Sequence, residues 1–151
     1  MKPAIVSVLA FASMSLIPAP DGSAAPVCLS AAEIAQTGRV ISVMAIGGAL
    51  RHCAECLGPD RYGQVTADYE GAGLMRDFRT AQDAITTRER YEYSDGIARD
   101  MARSYSEKLS ADCDACANLA GKLKSLRTPE AREAFYEPQA AELRKTARQC
   151  P

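Results

Sequence analysis

Residues 30–53 read SAAEIAQTGRVISVMAIGGALRHC, and the fold class depends on whether this stretch is a helix or a strand. It opens on Ser30 and Glu33, which have the spacing of a capping box. In that motif each side chain accepts the other residue's backbone N–H. Residues 38–48 would also suit a buried strand, because β-branched residues there stand between glycines. No other stretch supplies a partner strand, so we predict a helix that is apolar nearly all round and central in a bundle.

Apolar residues recur at steps of three and four through the rest of the chain, which predicts three further helices. They are expected over residues 60–85, 94–123 and 128–150. Pro138 falls inside the last of these and should kink or divide it. Together the four segments predict an all-α fold, a four-helix, up-and-down-like bundle cross-linked by disulfides.

The first 24 residues have the order of a secretory signal peptide. Lys2 precedes an uncharged run of 14 residues, 4–17, and a stretch rich in small residues follows up to Ala24. A membrane-spanning helix needs about 20 apolar residues. We therefore expect cleavage after Ala24, leaving residues 25–151 as a single helical domain without a transmembrane segment. The expected location is the periplasm or the extracellular space.

Six cysteines in an exported chain predict a disulfide framework. They are Cys28, Cys53, Cys56, Cys113, Cys116 and Cys150. A first helix of about 23 residues is roughly 34 Å long, so it separates Cys28 from the first CxxC pair. An up-and-down order then predicts a Cys28–Cys150 bridge and two bridges between the CxxC pairs. Cys53–Cys113 with Cys56–Cys116 is expected if the two segments run parallel, and the crossed register if they run antiparallel.

The two CxxC pairs also fit two other kinds of chemistry. A thioredoxin-like redox site requires CxxC at a helix N-terminus, usually after a strand, whereas Cys53 is predicted at the C-terminal end of its helix. Cys53, Cys56, Cys113 and Cys116 could instead form a four-thiolate zinc site. The 56 residues between the pairs are too many for a compact zinc module. We therefore predict structural bridges, without a metal or another cofactor.

Charge and motifs exclude more functions than they indicate. The chain has 18 basic and 19 acidic residues, so it lacks the basic surface of a nucleic-acid-binding protein. It contains no hydrolase, P-loop or metalloprotease motif, and His52 is its single histidine. Tyr91 and Tyr93, beside Arg88 and Arg90, form the predicted interaction patch, because tyrosine favours boundaries between apolar surface and water, including binding surfaces. We place this patch at a turn between the second and third helices. The expected function is non-enzymatic binding of a protein partner.

Overall fold

The computed structural model describes residues 26–151, and over this range the chain forms six α-helices and no β-strand. They are α1 (Ala31–His52), α2 (Ala54–Gly71), α3 (Leu74–Asp83), α4 (Arg88–Leu109), α5 (Cys113–Ser125) and α6 (Pro129–Thr146). The all-α prediction is confirmed. The predicted signal peptide, residues 1–24, lies outside the described residues.

The other helices pack around α1. Its capping box forms as predicted, with the Glu33 backbone N–H donating to Ser30 Oγ at 3.2 Å and the Ser30 N–H donating to Glu33 Oε2 at 2.8 Å. α1 contacts each of the five other helices. Its buried side chains include Ile34, Ile41 and Leu50. Burying such a side chain stabilises the fold by about 1.5–3 kcal/mol, so a helix apolar nearly all round is stable here because neighbours cover it.

One hydrogen bond and one close approach set the direction of α4 relative to α1. Thr37 Oγ1 lies 2.8 Å from Ser94 Oγ, and both residues are in the first halves of their helices. Farther along, a Cβ placed on Gly48 would lie 2.6 Å from Ser106 Oγ. α1 and α4 therefore run in the same direction.

α6 approaches α1 more closely still, and in the opposite direction. A Cβ on Gly38 would lie 2.8 Å from the backbone nitrogen of Ala140, so only glycine fits between the two helices at this point. Pro138 does not divide α6, which continues from Pro129 to Thr146. Ala134, whose carbonyl loses its intrahelical partner at this proline, is exposed and can bond to water.

Two predicted helices are each divided in the structure. The segment predicted over 60–85 is interrupted at Gly73, whose φ of 81° is left-handed, and becomes α2 and α3. The segment predicted from Ser94 begins earlier, where Thr87 caps α4. It then stops before Asp112, whose carboxylate accepts the Ala115 N–H at 2.7 Å and starts α5. Both divisions are caused by single residues that favour a helix end over a helix interior.

A buried ion pair holds α3 against α6. Arg132 Nε donates to Asp77 Oδ2 at 2.6 Å, and the Tyr136 hydroxyl donates to the same oxygen at 3.0 Å. Only 4 % of Arg132 is exposed, and its guanidinium also donates to the carbonyls of Leu126 and Arg127. These bonds satisfy a charge that would otherwise be costly to bury. They fix the position of α3, which forms one wall of the groove described below.

The chain turns sharply after α1. α1 and α2 meet at an angle of 112° around Cys53, and a second break inside α2 falls at Gly58, where φ is 70°. Within residues 26–151 no single helix has the length and hydropathy of a membrane span. α1 and α2 reach that threshold only when they are taken together across the bend.

The contact between α1 and α6 gives a matched pair of substitutions. Gly38→Ala should lower the free energy of unfolding by about 1–3 kcal/mol, because the added methyl meets the α6 backbone. Gly47→Ala should raise it by about 0.5–1 kcal/mol, because its methyl meets only the Tyr69 hydroxyl, at 3.4 Å. Urea unfolding with the bridges intact measures both. Equal effects at the two positions would contradict the close α1–α6 contact.

Candidate binding groove and disulfide bridges

Three disulfide bridges join all six cysteines, so none is free. The pairs are Cys28–Cys150, Cys53–Cys116 and Cys56–Cys113. The first joins the two ends of the helical domain, as the helix-length argument predicts. The other two have the crossed register, which is the one expected for antiparallel segments. Three bridges in one small domain fit an oxidising, extracellular environment.

The two bridges between the CxxC pairs differ in exposure. Cys53 and Cys116 are 0 % and 1 % exposed, whereas Cys56 and Cys113 are both exposed. Cys53 ends α1 and also precedes the first residue of α2, while Cys113 is the first residue of α5. The second CxxC pair therefore lies at a helix N-terminus, and the first lies at the start of a single turn that Gly58 separates from the rest of α2. Cys53 does end α1 as predicted, but the sharp turn into α2 directly after it is not predicted by the periodicity.

The zinc alternative needs free thiolates, and the structure bonds all four sulfurs to one another. Residues 26–151 also contain no cluster of three or more His, Cys, Asp or Glu side chains that could hold a metal ion. Zinc could bind at the CxxC pairs only after both bridges were reduced.

The predicted interaction patch lies in the first two turns of α4 and not in a turn between helices, because α4 begins at Arg88. Arg88 Nε donates to Glu92 Oε1 at 2.8 Å on the exposed face. Tyr91 is exposed, and its hydroxyl accepts from Gln82 Nε2 at 3.1 Å.

The other two residues of the patch face elsewhere. Arg90 donates to both carboxylate oxygens of Glu33, at 3.2 and 3.3 Å, and so extends the capping box of α1. The Tyr93 hydroxyl accepts the Arg148 N–H at 3.3 Å. Tyr93 also lines a groove of about 420 Å³ between α4 and α6. The structure therefore does not bring the four side chains together on one surface.

A second groove crosses the molecule with the outer face of α1 as its floor. The floor residues are spaced i, i+3, i+4, i+7 along α1, and they are Met44, Gly47, Gly48 and Arg51. Gly47 keeps the floor low, since it has no side chain to fill the space, whereas Gly48 lies against Ser106 of α4. We call this the α1 groove.

One wall of the α1 groove is apolar and comes from α2 and α3. The cavity beside this wall has a volume of about 240 Å³. Tyr69, Met75 and Phe78 line it from the wall, and Val43 lines it from α1. The Tyr69 hydroxyl donates to Met75 Sδ at 3.3 Å. Met75 is 38 % exposed and is one of two large hydrophobic residues with this much exposure in residues 26–151. Methionine adapts its shape to different apolar partners, so this wall suits a binding surface.

The opposite wall comes from α4 and is basic. The cavity beside this wall has a volume of about 340 Å³. The wall carries Arg99, Arg103 and Glu107, and Arg51 and His52 lie at the end of the floor. Arg99 Nε also donates to Asp95 at 2.8 Å. Within residues 26–151 no salt bridge involves Arg51 or Arg103.

Arg51 joins the basic and apolar parts of the groove, because it borders both cavities. Its charge also acts on Tyr69. Burial raises the pKa of the Tyr69 hydroxyl above its ordinary value, and the positive charge of Arg51 offsets part of this rise. An apolar surface therefore lies directly beside guanidinium groups that have no acidic partner in the described chain.

Arg90 gives a pH-dependent prediction. Burial raises the pKa of Glu33, but hydrogen bonds from Ser30 and Arg90 outweigh that effect and hold the pKa below its ordinary value. A lowered pKa stabilises the fold above pH ~4.3, the pKa of an unfolded glutamate, and this stabilisation is lost as pH falls further. Glu33→Gln should therefore be less stable than the native chain at pH 7, with the difference shrinking below pH ~4.

Thermal unfolding between pH 7 and pH 3 measures this difference. Glu70→Gln is the control, because Glu70 is exposed and has no ion pair in the described range. A gap between Glu33→Gln and the native chain that stays constant with pH would contradict the lowered pKa of Glu33.

No protein-family model, no curated protein and no solved structure matches this chain.

Proposed function

We propose that this protein is exported by a signal peptide cleaved after Ala24 and acts in the periplasm or outside the cell as a non-enzymatic binding protein. Its partner is another protein. Three bridges support an oxidising compartment, since such bonds persist there and are rare in the cytosol.

The four-helix, up-and-down arrangement is part of this proposal, with α1, α3, α4 and α6 as its members. α4 runs along α1, and α6 runs against it. α3 also runs against α1, since Leu74 belongs to the same hydrophobic cluster as Ile46 and Leu50, whereas Ala81 belongs to the cluster that contains Ile41. In this arrangement the Cys53–Cys116 and Cys56–Cys113 bridges join the start of α2 to the start of α5 at one end of the bundle.

The α1 groove is the observation that carries the proposal of binding. Protein interfaces are enriched in aromatic residues, Met and Arg, and seven of the fourteen residues that line it are Tyr, Phe, Met or Arg. Exposed Met75 has no evident role in the core of the fold. Guanidinium groups stay protonated and cannot act as general bases, so they suit recognition better than proton transfer.

Site-specific cross-linking tests the proposal. A photo-activatable phenylalanine analogue at Met75 should give a discrete adduct with one protein in the producing cell. The same analogue at Arg61 should not, because Arg61 lies between α2 and α5, away from the groove. The mass of the exported chain also reports whether residues 1–24 are removed. Absence of an adduct at Met75, or identical adducts at both positions, would refute the proposal.

A second candidate is thiol–disulfide exchange at the exposed Cys56–Cys113 bridge. A thiolate of an incoming dithiol would attack one sulfur, form a mixed disulfide and release the other cysteine as a thiolate. Cys113 is the first residue of α5, where the dipole favours a thiolate, whereas Cys56 lies in a single turn that ends at Gly58. Asp112 and Asp114 flank Cys113, and their negative charges oppose that effect.

Exposure predicts the order in which the bridges open. Under limiting dithiothreitol, alkylation should label Cys56 and Cys113 before Cys53 and Cys116, because the second pair is buried. Peptide mapping after timed quenching measures the order, and the urea-unfolded chain, in which burial no longer protects any bridge, is the control. Simultaneous labelling of all four in the folded chain would contradict it. Turnover of a dithiol peptide would favour exchange over binding as the function.

A further inference from the structure

We infer that the partner segment bound in the α1 groove is an amphipathic α-helix whose apolar stripe is bordered on one side by aspartate or glutamate. This inference rests on the proposed function and adds the chemistry of the partner. It follows from the shape of the floor, the apolar wall and the charges of the opposite wall.

The shape of the floor suits a helix. From Met44 to Arg51 the floor is about 10 Å long, or two helical turns. Gly47 lies in its middle, where an added Cβ would meet only the Tyr69 hydroxyl, at 3.4 Å, so a second helix can approach the α1 backbone there. Helices that bind in grooves place residues at i, i+3, i+4 and i+7 against the floor, and this floor presents the same spacing.

The two walls require different side chains from that helix. The wall beside Val43, Met75 and Phe78 offers apolar contact, so the side of the helix that faces α3 must be apolar. The wall formed by α4 presents Arg99 and Arg103, so the side that faces α4 must be acidic. A guanidinium binds a carboxylate through two parallel hydrogen bonds, which also fixes the position of the acidic residue along the helix.

The balance of charge at the groove favours an acidic partner over a neutral one. Three guanidinium groups, those of Arg51, Arg99 and Arg103, face one carboxylate, that of Glu107. Asp95 occupies Arg99 in part, through a bond to Nε. Arg51 and Arg103 have no ion pair in residues 26–151, so carboxylates of a partner would meet them without displacing an existing pair.

Two other possibilities are weaker. Both parts of the α1 groove are open, whereas a pocket for a small amphiphile buries most of its ligand. The groove between α4 and α6 has apolar residues Tyr93, Ile97 and Met101 together with Asp100 and Glu142. Nothing in the structure indicates what would cover the groove between α4 and α6.

Two synthetic peptides of equal length test the inference on the full disulfide-bonded chain. Both carry the same apolar helical stripe, which is bordered by glutamate in one and by lysine in the other. Fluorescence anisotropy should show the glutamate peptide binding about tenfold more tightly. Equal affinities, a preference for the lysine peptide, or no binding of either peptide would overturn the inference.

Variants locate the binding. The double charge reversal Arg51→Glu with Arg103→Glu should reverse the preference between the peptides. Arg61→Glu with Lys124→Glu is the matched control, since this basic pair lies between α2 and α5, and it should leave the preference unchanged. Gly47→Leu should weaken binding of the glutamate peptide about tenfold by filling the floor, while unfolding by urea reports that the fold is kept.

The outcomes separate this inference from the proposed function. A specific adduct at Met75 together with no preference between the peptides would leave the binding function standing and refute the acidic helix. Peptide preference without any adduct in the cell would refute the proposed binding of a protein partner there. It would leave standing the preference of the groove for an acidic helix. A long-chain carboxylate that co-purifies with the chain and is lost in Gly47→Leu, while neither peptide binds, would make the occupant an amphiphile and refute the inference.

Discussion

The close contact of α1 with its neighbours is the constraint on which the rest of the structure depends. A helix apolar on nearly every side is stable in water only if other helices cover it, and here five helices contact it. Gly38 lets the α6 backbone approach it, and Gly48 lets the Ser106 side chain of α4 approach it. The outer face at Met44, Gly47 and Arg51 is less covered by these neighbours, and it becomes the floor of the α1 groove.

The bridges reinforce this arrangement from its two poles. The Cys28–Cys150 bridge closes a loop of 122 residues, which contributes about 4–5 kcal/mol in the chain-entropy model. That is comparable with the whole stability of many small domains. At the other pole, the Cys53–Cys116 bridge is buried within the core and the Cys56–Cys113 bridge is exposed. The first bridge therefore joins the two ends of the helical domain, and the other two join the turn after α1 to the start of α5.

The sequence predicts local features better than long-range ones. The capping box at Ser30 and Glu33 was predictable because the two residues that form it are three positions apart. The divisions at Gly73 and Asp112 were missed, because an apolar stripe continues across both and periodicity alone does not register a cap. The groove could not be predicted, since its floor comes from α1 and its walls from three other helices, α2, α3 and α4. The spacing of Met44, Gly47, Gly48 and Arg51 was the one sequence signal, and it was interpreted as part of a buried helix or strand.

The double role of Cys53, which ends α1 and precedes α2, has a consequence for the affinity of the proposed complex. Its bridge to Cys116 fixes the chain two residues after Arg51, so the end of the groove is held rigid before any partner arrives. A preformed groove loses little conformational entropy on association, and most of the ordering falls on the partner. Affinity should then follow how helical the partner segment already is when free, and evolution could adjust the complex by changing the partner alone.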